Sequence, residues 1–189
     1  MTRKYAVIGT GALGGFYGGK LARAGLDVHF LFHSDYDHVK RNGLRVDSVD
    51  GDFHLKTVNA YATAGDMPKC DVVVVGLKTT QNHLFKTLIP SVIADNGVVL
   101  LLQNGLGGEE RIAEIVGTQR VMGGVCFLCS NKVGPGHIRH LDYGSISLGD
   151  FRPDGKPAGV TDRMLSIGRD FETARSEERR VGKECRSRW

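Results

Sequence analysis

Tyr5-Ala6-Val7-Ile8-Gly9-Thr10-Gly11-Ala12-Leu13-Gly14 decides the fold. The apolar run from Lys4 to Ile8 reads as a strand, and the amphipathic run from Ala12 to Ala24 reads as a helix closed by Gly25. Between them stand three glycines in GxGxxG spacing. Gly9 permits a tight turn, Gly11 lets backbone approach a pyrophosphate that a Cβ would block, and Gly14 lets helix and strand pack closely. Thr10, Ala12 and Leu13 complete the turn, and the helix N-terminus offers free N–H groups and a partial positive charge to phosphates. Glycine-rich turns are common, so context decides. A strand precedes this one, a helix follows, and further strand–helix units lie downstream. An empty structural turn is the alternative.

Working outward, Asp27–Phe32 reads as a second strand and Asp37–Asn42 as a short helix ended by Gly43. Leu44–Val49 and Asp52–Thr57 flank Asp50-Gly51, a hairpin signal, and Val58–Ala62 is another short strand. Cys70–Leu77 and Gly97–Gln103 are continuous apolar runs, the pattern of strands buried on both faces of a parallel sheet. Thr79–Val92, with a break at Pro90, and Gly108–Val116 read as helices. Val121–Ser130, His137–Asp142 and Ser145–Asp150 read as strands, with a turn over Lys132–Gly136, and Pro157–Thr173 reads as a helix. The alternation predicts an α/β fold with a doubly wound, Rossmann-like, mostly parallel sheet.

The chain has 189 residues and a formal net charge of +4. Residues 175–189 carry six of the 25 basic and three of the 21 acidic residues, so the rest of the chain stands at +1. The basicity belongs to the tail and is no nucleic-acid footprint. The tail shows no helical or strand period, and its wording matches the conceptual translation of a common sequencing-library adapter. The expectation is a dinucleotide-binding domain over 1–174 and a non-native, disordered tail over 175–189, with a native basic tail as the alternative. No apolar run approaches the ~18–20 residues that span a bilayer, and the start is unlike a signal peptide, so a cytoplasmic protein is expected. Cys126 and Cys129 have CxxC spacing inside an apolar segment, without a second pair or suitably placed histidines. They and Cys70 read as buried inert thiols, with no metal site.

The cofactor choice turns on the end of the second strand, where an acidic residue grips the ribose hydroxyls of NAD. His33 and Ser34 stand there, and Asp35 comes two residues later. A polar or basic pair suits a 2′-phosphate, so NADP is expected over NAD, with Lys40 and Arg41 as helpers. A solvated loop histidine is the alternative for His33.

Three blocks together carry a resemblance: the glycine turn, Gly76-Leu77-Lys78-Thr79-Thr80-Gln81 after one buried strand, and Gln103-Asn104-Gly105-Leu106-Gly107 after the next. From Arg3 to about Phe151 the chain resembles the ketopantoate reductase (2-dehydropantoate 2-reductase) family. The resemblance implies NADPH-dependent reduction of ketopantoate to pantoate, for pantothenate and coenzyme A synthesis. It implies that Lys78 and Asn104 line the nicotinamide end of the cleft and touch both cofactor and substrate. Their bland alternative is a strand cap and a turn. It also sets Cys129 where the family has a small residue near the cofactor, with plain burial as the alternative, and leaves His137 and His140 structural. One departure is His33, where the family member that aligns best has Arg. Family enzymes add an all-helical second domain that carries the general-acid Lys and further substrate-binding residues, and the full-length protein is expected to be a homodimer. None of those residues can be placed here, so this chain is expected to bind NADPH without turning over a 2-oxo acid. Reduction of another 2-oxo acid and a non-catalytic binding module are the rivals. A bare apolar surface is expected where a second domain would sit.

Overall fold

The structure is a computed structural model that describes residues 3–174. The expectation of disorder over 175–189 lies outside the described residues. In chain order the elements are β1 (Lys4–Ile8), α1 (Ala12–Arg23), β2 (Asp27–Leu31), α2 (Tyr36–Asn42), β3 (Leu44–Ser48), β4 (Phe53–Leu55), β5 (Asn59–Tyr61), β6 (Cys70–Val75), α3 (Phe85–Val92), β7 (Ile93–Leu101), α4 (Gly108–Val116), β8 (Val121–Gly134), β9 (His137–Asp150) and α5 (Asp162–Ala174).

The valine-rich runs form the centre of a sheet ordered β4-β3-β9-β8-β7-β6-β1-β2-β5. The stretch from β8 to β5 is all parallel. Its order is that of a doubly wound dinucleotide-binding sheet, with the chain reversing direction across the sheet between β1 and β6. Val72 to Val75 are buried, as are Val98 to Leu101, because helices cover both faces. One core contains α1 and α5; the other contains α3 and α4.

The hairpin β8–β9 has two 14-residue arms and does more than extend the sheet. Its base continues from β7, and its tip pairs with β3, Arg45 opposite His137. Between base and tip it wraps α1. Ile138 packs where a Gly15 Cβ would stand 2.9 Å from its Cγ1, and the Phe16 and His140 rings lie 4.4 Å apart. The Tyr17 hydroxyl donates to the Ser145 carbonyl at 3.1 Å. α5 closes the same core through Ile167 and Phe171 and is tied to β1 by Arg3 and Tyr5, both bonded to Asp170. Among the described residues no helix is long and apolar enough to cross a membrane.

Several boundaries differ from the sequence expectation. The hairpin β3–β4 forms as expected but lies across the sheet from β2, because the tip of β9 offers β3 a parallel partner. The turn assigned to Lys132–Gly136 tightens to Pro135-Gly136, with Gly136 at φ +58°, so β8 runs on to Gly134. The gap expected between Asp142 and Ser145 is an irregularity within one strand, with Tyr143 at φ +66° and Gly144 at φ +111°. Thr79–Val92 divides at Leu84, where a 3₁₀ segment gives way to α3, and Pro90 sits inside α3. The missing Pro90 N–H deprives only the exposed turn at Lys86. β7 begins at Ile93, ahead of Gly97, and the last helix begins at Asp162, well after Pro157.

The thiols also divide. Cys70 is buried as expected, Cys126 is only half-buried, and Cys129 is exposed because among the described residues the outer face of the hairpin carries no covering layer. Burial pushes the Cys70 thiol up to about 12 and that of Cys126 up to about 11. Thiolates are the nucleophiles, so alkylation near neutral pH followed by peptide mapping is expected to label Cys129 well before Cys70 or Cys126. Equal labelling of the three would contradict this packing.

Candidate functional site

Ile8, Val75 and Leu101 stand side by side at the ends of β1, β6 and β7. The glycine turn, the Gly76–Lys78 segment and the Leu102–Gly107 loop therefore leave one edge of the sheet together. This is the carboxyl edge at the switch point, where open α/β sheets bind ligands.

The three turn glycines have different neighbours. Gly9 has φ +89°, and a Cβ there would stand 2.5 Å from the Leu77 nitrogen. A Cβ at Gly14 would collide with the Gly9 carbonyl oxygen. Around Gly11 a Cβ would meet nothing within 4 Å, so the protein leaves this position open. Gly11 is also the N-cap of α1, without a side-chain cap, and the first bond of the helix runs from Gly15 N–H to Gly11 O at 2.8 Å. The N–H groups of Ala12, Leu13 and Gly14 precede it and have no i−4 carbonyl within the helix. The Thr10 hydroxyl donates to the Leu31 carbonyl at 3.1 Å. It fastens the turn to β2, leaving only the Thr10 backbone to meet a ligand.

Lys78 and Asn104 are both exposed and lie on adjoining loops: a Cβ at Gly105 would sit 3.5 Å from Thr79 Cγ2. Between them stands a residue that the sequence reading left without a role. Gln103 Nε2 donates to the Leu77 carbonyl at 2.6 Å and so couples the Asn104 loop to the Lys78 loop. The only sequence signal for it is adjacency to Asn104.

At the end of β2, His33 and Ser34 are exposed and Asp35 is buried. Asp35 accepts from Ser34 Oγ at 3.1 Å, from Lys132 Nζ at 2.7 Å and from the Gly136 N–H at 2.9 Å. Burial alone would push the Asp35 carboxyl up, but the Lys132 and Gly136 bonds outweigh it and hold the group below its ordinary value. Both carboxylate oxygens are thus occupied inside the fold. Lys40 and Arg41 are exposed in the last turn of α2, beyond this loop, and the cation brought to it is Lys132 from the hairpin tip.

Cys129 lies on the hairpin face opposite Ser130, whose hydroxyl donates to the Ala12 carbonyl at 3.3 Å. It is Ser130 that borders the glycine turn. His140 is fully buried against Ser48, and His137 pairs with Asp47 at 2.8 Å, both in structural positions. Among the described residues no cluster of His, Cys, Asp or Glu could hold a metal ion. The outer hairpin face exposes Val125, Phe127, Leu141 and Tyr143, and Leu106 beside Asn104 is 93% exposed.

The family described as ketopantoate reductase PanE/ApbA matches residues 5–153. A 2-dehydropantoate 2-reductase of a Nostoc species is 60% identical over 172 residues, covering 91% of this chain and 54% of that protein. The crystal structure of 2-dehydropantoate 2-reductase from Geobacter metallireducens superposes with TM-score 0.85 at 43% identity, covering 90% of this chain and 55% of its own. That from Methylococcus capsulatus gives 0.80 at 31% identity, covering 90% and 54%. The chain spans about half the length of the curated relatives it matches.

Two outcomes follow from the geometry. Gln103→Leu leaves the Leu77 carbonyl without its donor and is expected to cost about 1–3 kcal/mol in chemical denaturation; an unchanged midpoint would contradict the strut. Asp35 has a folded-state pKa below its ordinary 3.8, so its contribution is complete above that value and lost as pH falls through the folded one. Asp35→Asn is therefore expected to flatten the fall in melting temperature below pH 4.

Proposed function

Because the chain belongs to the ketopantoate reductase family, we propose that it holds the dinucleotide for the reduction of 2-dehydropantoate to pantoate, a cytoplasmic step of pantothenate and coenzyme A synthesis. The observation that carries this reading is the meeting of the glycine turn, Lys78 and Asn104 at one switch-point edge. Residues 1–174 form the dinucleotide-binding domain, and 175–189 are foreign to it.

The residues present fit a dinucleotide. The open position at Gly11 and the uncapped start of α1 suit a pyrophosphate, whose charge the free N–H groups would take up. NADPH is favoured over NADH because Asp35, the carboxylate nearest the end of β2, is turned inward and has no oxygen left for a ribose diol. The bound dinucleotide supplies a hydride. Lys78 offers a positive charge to a substrate carboxylate or ribose hydroxyl, and Asn104 can donate and accept beside it. Gln103 keeps the two in register. The chain alone binds NADPH without turnover, because Lys78 and Asn104 stand exposed at this edge and hydride transfer needs water excluded from the reacting centre.

Titration of the chain with NADPH, followed by nicotinamide fluorescence, tests the binding. Gly11→Val is expected to lower affinity by roughly a hundredfold or more, since charge-assisted pyrophosphate contacts are worth ~1.5–3 kcal/mol each. Its melting temperature should fall only slightly, because among the described residues a Cβ there meets nothing within 4 Å, while valine caps a helix less well than glycine. Unaltered affinity would make the turn merely structural. Offering ketopantoate and other 2-oxo acids with NADPH tests the rest: turnover by this chain would refute the binding-only assignment.

A further inference from the structure

The loop after β2 is met by a group from far along the sequence. Lys132, on the hairpin tip, reaches Asp35 with Nζ 2.7 Å from each carboxylate oxygen. Ser34 Oγ sits 3.1 Å from one of the same oxygens. Lys132 Nζ and Ser34 Oγ are thus no farther apart than these two bonds laid end to end. One phosphate group can bridge such a span with two of its oxygens. The lysine side chain is 36% exposed while Asp35 is 8% exposed, so the ammonium lies between the carboxylate and solvent. An ammonium has three donors, and Asp35 does not exhaust them.

We propose that Lys132 is a specificity-determining residue that recognises a 2′-phosphate on the adenosine ribose, together with Ser34. The inference rests on the dinucleotide reading of this edge. Lys132 supplies a positive charge beside Ser34. Asp35 holds the lysine in place from beneath, and the Gly136 N–H holds Asp35. The same carboxylate also competes with the phosphate for the ammonium, so Asp35 moderates the affinity it makes possible.

The test is calorimetric titration of the full chain with adenosine 2′,5′-bisphosphate and with adenosine 5′-monophosphate, which differ only in the 2′-phosphate. The wild type is expected to prefer the bisphosphate. Lys132→Gln is expected to cut that preference about tenfold, the lower end of a charge-assisted hydrogen bond, with monophosphate affinity unchanged. Lys132→Arg should restore it. Asp35→Asn, which frees the ammonium, is expected to tighten bisphosphate binding, and the Asp35→Asn/Lys132→Gln double variant should lose the gain. That pair of variants carries the test if the single glutamine variant fails to fold, since it leaves no buried carboxylate unpaired. An unchanged preference in Lys132→Gln, an equal weakening of both ligands, or a gain that survives in the double variant overturns the proposal and leaves Lys132 a structural clasp. A wild type that binds both ligands equally overturns the 2′-phosphate reading itself, a result separate from any effect of Lys132.

Discussion

The backbone of Leu77 is held from two sides, and the arrangement of the site depends on it. Gly9 approaches its nitrogen so closely that a Cβ would stand 2.5 Å away, and Gln103 bonds its carbonyl at 2.6 Å. The glycine turn, the Lys78 loop and the Asn104 loop come from three strands, yet they meet at the backbone of this residue. Gly9 must also take φ +89°, a region that side chains rarely occupy. A larger residue there would part β1 from β6 at the switch point and carry Lys78 away from the glycine turn. Gly14, packed on the Gly9 carbonyl, sets the start of α1 relative to the same peptide. The glycines therefore divide the work. Gly9 and Gly14 are demanded by the protein's own packing, whereas Gly11 is demanded by nothing inside the fold, which is the pattern expected if a ligand imposes it.

The second constraint is the long hairpin. α1 carries glycines at 14, 15, 18 and 19, all of them buried. Glycines give a helix poor local propensity, and they serve here to admit close neighbours. Ile138 lies over Gly15, while Phe30 and Val7 lie over Gly18. By wrapping α1, the hairpin brings its tip over the loop that follows β2. A strand pair that packs on α1 thus also delivers Lys132 to Asp35 in the loop after β2.

The glycine turn and the buried strands were legible because each is local. Val72–Val75 and Val98–Leu101 form unbroken apolar runs, and only a parallel sheet covered on both faces consumes them. Lys78 and Asn104 were legible because each follows such a run directly. Gln103 and Lys132 were not. Gln103 acts on a carbonyl 26 residues away and Lys132 on a carboxylate 97 residues away, and no spacing rule encodes either pairing. The length of the hairpin was missed for a related reason. Tyr143 and Gly144 read as a break, but two positive φ values in an antiparallel arm make a local irregularity that the ladder on either side survives. The exposure of Cys129 belongs to the same class, because its apolar neighbours predict burial while the strand's outer face has nothing packed on it.

The proposed hydride transfer to a 2-oxo acid would set a condition that this edge meets only in part. Water must leave the reacting centre, and a proton must reach the carbonyl oxygen as the hydride arrives. Lys78 and Asn104 are exposed, and Leu106 beside them is almost wholly in contact with solvent. Fully burying a leucine side chain is favourable by ~1.5–3 kcal/mol, so a surface closing over Leu106 would gain free energy from the same contact that dries the site. The described residues bring the open position at Gly11, Lys78 and Asn104 to one edge of the sheet and leave Leu106 uncovered there. Under the proposed function, drying this edge therefore calls for apolar surface over Leu106.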